Sequence, residues 1–385
     1  APEKPGFLER QVLALEKAER PGLLNLQYRG FFPVFTSISA GSRLAAGLRY
    51  WQPERLPGHT SLHASAAFSP TGYELYDLQL GRIPHRAGRR PERSTRGDDV
   101  YELGSRRPGA SGLILYGSLR HRHNPQERFF GLGPESRLQD RSSYLLREGS
   151  GELVGGYQLG ARTVATLRAG LFRPGVGPGE SDDFPSAEAL FDERAAPGLT
   201  RQRDYLRLAG LLLHDARDRP FNPHRGGMIA LSALRFEGRG GGEFDFTRMA
   251  LDARGYLSLG SPQRVLALRA LASADDPAPG ARVPFYLQEA LANSHTLRGF
   301  ETFRFRGEKL LSLQAEYRWE AVPALELAAF VDTGAVAASG QDFGALEAGY
   351  GLGLRVKTAQ DVLARLDAAW SREGHRVYLR FGHAF

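Results

Sequence analysis

The residues of this chain whose types and spacing suggest chemistry form an ionic set near the C-terminal end. Leu297-Arg298-Gly299-Phe300 lies in a long Gly-containing stretch, and two acids follow it, Glu316 and Asp332. From Leu311 to Trp319 the chain alternates strictly. Leu313, Ala315, Tyr317 and Trp319 point one way, and Gln314, Glu316 and Arg318 point the other. Leu325 to Asp332 repeats the pattern, with Asp332 on the face of Glu326. A period of two with one apolar and one charged face describes a β-strand between unlike media. If the polar face lines a lumen, Glu316 and Asp332 sit on neighbouring strands, and Arg298 on the preceding loop reaches both. The chemistry expected is a charge-assisted hydrogen-bond network that anchors a loop.

The other sets are weaker. His214-Asp215 with Asp218 invites an acid–base or metal reading. It stands at a strand end before a Pro-rich turn, where Asp and Arg organise backbone hydrogen bonds. Arg120-His121-Arg122-His123 puts two His at spacing two beside basic residues, and a solvated loop base is expected there. Gly175 to Gly179 and Gly238 to Gly242 are Gly-rich without a strand-to-helix context, which argues against a phosphate cradle. The chain has no Cys, so disulfides and thiolate metal sites are excluded. No Ser/His/Asp arrangement follows from the spacing. No catalytic residue, metal site or cofactor is therefore expected, and the chain is not read as an enzyme.

The elements that position these residues are strands. The chain is 42% hydrophobic, yet its mean hydropathy is −0.35. No run approaches the roughly 18 apolar residues of a membrane helix. Gly is abundant at 46 and Met rare at 2, as in barrels whose apolar residues are spread thinly over alternating strands. The net charge of +7 suits anionic headgroups or lipopolysaccharide phosphates. Scattered Arg without a basic helix or aromatic stacking motif argues against nucleic acid. Strands are expected at 33–39, 43–53, 59–69, 72–83, 109–122, 142–158, 160–174 and 203–216. They continue at 225–238, 243–259, 263–274, 308–320, 323–335, 345–358, 361–372 and 375–385. That gives about sixteen, an even number, with the first pairing the last.

Short connections at Pro53–Gly58, Asp218–Gly226 and Glu320–Pro323 are expected on one side, and long ones at 123–141, 175–202 and 275–307 on the other. The basic connection 84–108 breaks that rule. Pro5 to Arg20 reads as a short amphipathic helix closed by Pro21-Gly22. It can lie on the membrane, plug the lumen, or be what remains of an upstream periplasmic domain. Residues 1–30 thus form a periplasmic or plug segment and 31–385 the barrel. The opening Ala1-Pro2-Glu3 carries no signal-peptide pattern and suits a mature chain after signal removal.

From about residue 33 onward the sequence resembles the bacterial surface antigen superfamily of outer-membrane barrels, the BamA, TamA and FhaC type. Leu297-Arg298-Gly299-Phe300 is similar to that family's [VIL]-R-G-[FY] motif on the sixth extracellular loop, and Phe330-Val331-Asp332-Thr333-Gly334 to another family string. Phe129 to Pro134 and Asp215 to Gly226 match as well. The end, Leu379 to Phe385, resembles the outer-membrane β-signal, with Leu379, Phe381 and Phe385 on its outward face and His383 a departure. The resemblance implies a loop folded into the lumen, with Arg298, Gly299 and Phe300 anchored by Glu316 and Asp332 on the twelfth and thirteenth barrel strands. Family members usually carry polypeptide-transport-associated (POTRA) domains before the barrel. The thirty or so residues here are too few for one, so a barrel-only chain or a short member without them is expected.

The fold expected is all-β: about sixteen antiparallel transmembrane strands, a short N-terminal helix and an inward-folded sixth loop, in the bacterial outer membrane. By resemblance, the function expected is insertion or translocation of protein or lipid through a lateral seam between first and last strands. The other reading is a plugged structural barrel that anchors a partner or forms a passive pore. Partners are outer-membrane lipids, lipopolysaccharide, and protein clients or an accessory subunit.

Overall fold

The computed structural model describes residues 30–56, 60–83, 112–219, 222–322, 324–357 and 362–380. The helix expected at Pro5–Arg20, the connection 84–108, and the β-signal residues Phe381 and Phe385 lie outside the described residues. No helix among those described is long and apolar enough to cross a membrane.

Alternation makes the strands, and sixteen of them join in one antiparallel sheet. The first half runs β1 (Phe31–Thr36), β2 (Ala45–Leu56), β3 (Thr60–Phe68), β4 (Glu74–Arg82), β5 (Leu113–Phe129), β6 (Ser142–Leu159), β7 (Thr163–Pro178) and β8 (Tyr205–Asp215). The second half runs β9 (Gly226–Gly238), β10 (Phe246–Ser258), β11 (Arg264–Pro277), β14 (Lys309–Val322), β15 (Leu325–Ala337), β16 (Glu347–Lys357), β17 (Val362–Ser371) and β18 (Gly374–Arg380). Between β11 and β14, β12 (Glu289–Leu291) and β13 (Phe305–Gly307) pair with each other as a separate two-stranded ladder. Every neighbour pair of the large sheet is consecutive in the chain apart from this insertion, and among the described residues no ladder joins β1 to β18.

The two faces show which medium each meets. On β14, Ser312, Gln314, Glu316 and Arg318 are buried, while Leu313, Tyr317 and Trp319 are exposed. On β16 the exposed residues are Ala348, Tyr350, Leu352 and Leu354, and Arg355 and Lys357 are buried. A polar inside with an apolar outside inverts the pattern of a water-soluble core, and suits a wall with hydrocarbon outside. At the short-turn end the inner face of β1 to β9 differs: Phe32, Trp51, Ile114, Val164, Leu213 and Met228 belong to one buried apolar belt.

The largest extensions beyond the expected bounds are in two strands. β5 extends past His123 to Phe129, and β7 past Pro174 to Pro178, so parts of the connections expected at 123–141 and 175–202 are strand. Pro125, Pro174, Gly175 and Pro178 read as breakers. Beyond His123, however, β5 pairs only with β6, across a bulge between Asn124 and Glu127. Beyond Phe172, β7 likewise pairs only with β6. A strand segment with one open edge tolerates the missing N–H of Pro. Pro33 is accommodated in the same way on β1, an edge strand.

Candidate functional site

The connection 278–308 between β11 and β14 is the longest described, and its middle enters the lumen. Arg298 is fully buried. Its Nε donates to Asp332 Oδ2 at 2.6 Å and its Nη2 to Asp332 Oδ1 at 2.8 Å, a two-pronged pairing. Its backbone N–H donates to the same carboxylate at 3.1 Å. Nη1 reaches Glu316 Oε2 at 3.0 Å and Asp367 Oδ2 at 3.4 Å. The guanidinium lies 3.3 Å from the ring centroid of Phe330, which points inward from β15. The structure thus brings Arg298, Glu316 and Asp332 together.

The network is larger than the sequence showed. Glu316 also accepts from Arg318 Nε at 2.9 Å and Arg355 Nη2 at 3.1 Å. Asp367 accepts from Arg355 Nη1 at 2.6 Å and lies 3.3 Å from Arg365 Nη1. Arg365 in turn donates to the carbonyl of Ser294 at 2.7 Å, back on the loop. Arg298, Arg318, Arg355 and Arg365 therefore stand against Glu316, Asp332 and Asp367, all with side chains at 0–1% exposure. A set this dry has to be almost fully paired, because one uncompensated charge in it costs several kcal/mol. Asp367 and Arg365 were missed because they come from β17, far along the chain. The signal was present: in Arg365-Leu366-Asp367 the charges share one face.

Packing fixes the loop as firmly as charge does. Gly299 has φ +100° and its N–H donates to Tyr378 Oη at 3.0 Å; that hydroxyl donates to the carbonyl of Phe300 at 3.2 Å. Ser371 Oγ donates to the carbonyl of Gly299 at 2.8 Å. Phe300 is fully buried with Leu291, Leu297, Phe305 and Val336. On the wall, a Cβ at Gly349 would lie 1.9 Å from the carbonyl oxygen of Arg298, so only glycine admits the loop backbone there. Leu379, the one described residue of the outward-facing set expected in the β-signal, is 63% exposed.

The rest of the loop ties distant strands together. Glu301 accepts from Arg128 of β5 at 2.5 Å and Arg141 at 3.2 Å, and pairs with Arg376 of β18 at 2.8 Å. Arg304 bonds Glu373 and Ser136 at 2.8 and 2.9 Å. These strands meet on one loop because the sheet curls around it. Above, Phe285 packs on Phe129 and Tyr144 with ring centroids 4.7 and 4.8 Å apart, in an aromatic cluster at the long-loop end.

The weaker sets resolve as scaffold or surface. Asp215 takes two bonds from Arg217 at 2.8 Å, and Asp218 accepts the N–H groups of Arg219, His224 and Arg225. Burial alone would raise the Asp218 pKa, but those three N–H groups hold it below the usual carboxylate range. His121 and His123 do not lie in a loop: they sit on the outer face of β5, while Arg120 and Arg122 point inward to Asp77 and Glu148. Gly175 and Gly177 are strand residues paired with Arg147 and Leu145.

Residues 180–385, which span β8 to β18 and the whole lumen loop, match the family model described as the Omp85 superfamily domain. The chain belongs to the Omp85 superfamily. Among solved structures, it is similar to BamA from Haemophilus ducreyi lacking POTRA domains 1–3, at 13% identity and a TM-score of 0.60, covering 100% of this chain and 80% of that one. It is also similar to CdiB from Escherichia coli, at 13% identity and a TM-score of 0.55, covering 93% and 63%. No curated protein matches its sequence. The Omp85-type all-β antiparallel wall is thus a match in family and in fold.

Proposed function

We propose that this Omp85 barrel assists insertion or translocation of polypeptide or lipid at the bacterial outer membrane, through a lateral seam between β1 and β18. The observation that carries the reading is the edge pair itself. β1 is six residues long, includes Pro33, and has no ladder to β18 among the described residues. An unpaired edge presents a row of N–H and C=O groups that can template an incoming strand. The ties of the lumen loop support the same reading. They reach β14, β15, β17 and β18, which braces that flank of the sheet, and β5 through Arg128.

The aromatic cluster around Phe285 at the long-loop end favours lateral over axial passage. The same cluster suits a plugged barrel serving as a partner anchor, and that is the second reading. The test is reconstitution. Liposomes holding the chain should speed the folding of an unfolded outer-membrane β-barrel well beyond empty liposomes. Equal rates would remove the insertase reading and leave the anchor.

A further inference from the structure

We propose that the short-turn rim of β6 to β11 is a docking surface for anionic phospholipid headgroups of the inner leaflet, with Arg162, Arg219, Arg225 and Arg264 as its cations. The inference rests on reading the chain as an outer-membrane barrel whose short turns face the periplasm. These four arginines are exposed and come from three neighbouring turns. The backbone draws the turns together: Asp215 N–H donates to the Arg162 carbonyl at 2.8 Å, and Ser258 Oγ to the His224 carbonyl at 3.0 Å. The nearby acids are largely committed. Asp215 is paired with Arg217, and Glu320 lies 2.5 Å from Lys357. Asp218 remains as one negative charge, its carboxylate occupied by backbone N–H groups. The four cations therefore exceed it by three.

The outward apolar face lies directly beside this rim. Arg264 neighbours the exposed Leu259, whose N–H donates to the Arg264 carbonyl at 2.8 Å, and in register it faces Trp319 on β14. Exposed leucine and tryptophan beside exposed arginine is the pattern of a hydrocarbon–headgroup boundary, where indoles settle and guanidinium groups meet phosphate. A soluble acidic protein would not need the apolar row. Each arginine near an anionic bilayer surface raises association by about fivefold.

The geometry supplies its own reporters. Trp319 marks this rim, 42% exposed, and Trp370 marks the opposite edge, 41% exposed beside the β17–β18 turn. The experiment uses the full chain in liposomes with single-Trp backgrounds, Trp51→Phe with either Trp370→Phe or Trp319→Phe. Quenching is read with acyl-brominated phosphatidylglycerol against acyl-brominated phosphatidylethanolamine. Phosphatidylglycerol is expected to quench Trp319 with several-fold selectivity and Trp370 with a ratio near one. Arg219→Ser with Arg225→Ser and Arg264→Ser should bring the Trp319 ratio to that of Trp370, and Arg264→Ser alone should lower it part of the way. Equal ratios at the two indoles, or a ratio the replacements leave unchanged, overturns the proposal. If no brominated lipid quenches either indole, the membrane reading itself falls, and the docking surface with it.

Discussion

Replacing Arg298 by alanine removes the loop's own guanidinium from the centre of the lumen network, and the structure shows where the cost falls. Glu316 keeps Arg318 and Arg355 at 2.9 and 3.1 Å, and Asp367 keeps Arg355 and Arg365 at 2.6 and 3.3 Å. Asp332 keeps only Gln314 Nε2 at 3.3 Å and the backbone N–H of residue 298 at 3.1 Å. One fully buried carboxylate thus loses its cation, a change that costs about 3–5 kcal/mol in a dry site. Expressed as loop opening, that is roughly two to three and a half powers of ten. Hydrogen exchange of the Gly299 amide in detergent-solubilised protein reads the opening directly, because that N–H is held by Tyr378 in the docked loop. Arg298→Ala should accelerate the exchange by that factor. Adding Asp332→Asn should recover part of the loss, about 1–3 kcal/mol, since it removes the orphaned charge. Unchanged exchange in the single variant, or no recovery in the double, refutes the account of the loop as charge-anchored.

Other outcomes follow from the same geometry. Gly349→Ala should undock the loop, because the new Cβ meets the Arg298 carbonyl at 1.9 Å, whereas Gly155→Ala, with nothing within 4 Å, should leave proteolysis of the loop unchanged. Tyr378→Phe deletes bonds to Gly299 and Phe300 and should lower loop protection by about 1–2 kcal/mol, seen in the same exchange measurement. The Asp218 carboxylate, with its folded pKa depressed, stabilises the 216–225 turn above the ordinary carboxylate range, and that stabilisation is lost as pH falls through the folded value. Amide shifts of His224 and Arg225 should therefore titrate below the usual Asp midpoint and lose that titration in Asp218→Asn; a midpoint at the ordinary value would contradict this.

Much of the wall was legible because alternation is a local signal. Leu311 to Trp319 and Gly349 to Lys357 each declare an inner and an outer face without reference to any other part of the chain. The extensions of β5 and β7 were hidden by Pro125, Pro174 and Gly175, whose tolerance depends on which edge is paired, a fact of the whole sheet. β12 and β13, three residues each, are too short to show a period. In the lumen, Arg298, Glu316 and Asp332 stood out through motif and parity. Asp367, Arg365 and Tyr378 did not, because they reach the site only after β16, β17 and β18 take their registers. Gly349 is a similar case. Its need for glycine arises from a loop fifty residues upstream in the chain pressing on its strand.

The central claim is that the β1–β18 edge pair opens sideways in service of a client, and locking that seam tests it most directly. The chain has no native Cys, so cysteine pairs scanned across Phe32 to Thr36 and His375 to Leu379 form the only disulfides available. In liposomes, the oxidised lock should abolish accelerated folding of an unfolded outer-membrane barrel, and reduction should restore it. If the locked chain works as well as the reduced one, the seam is not the route.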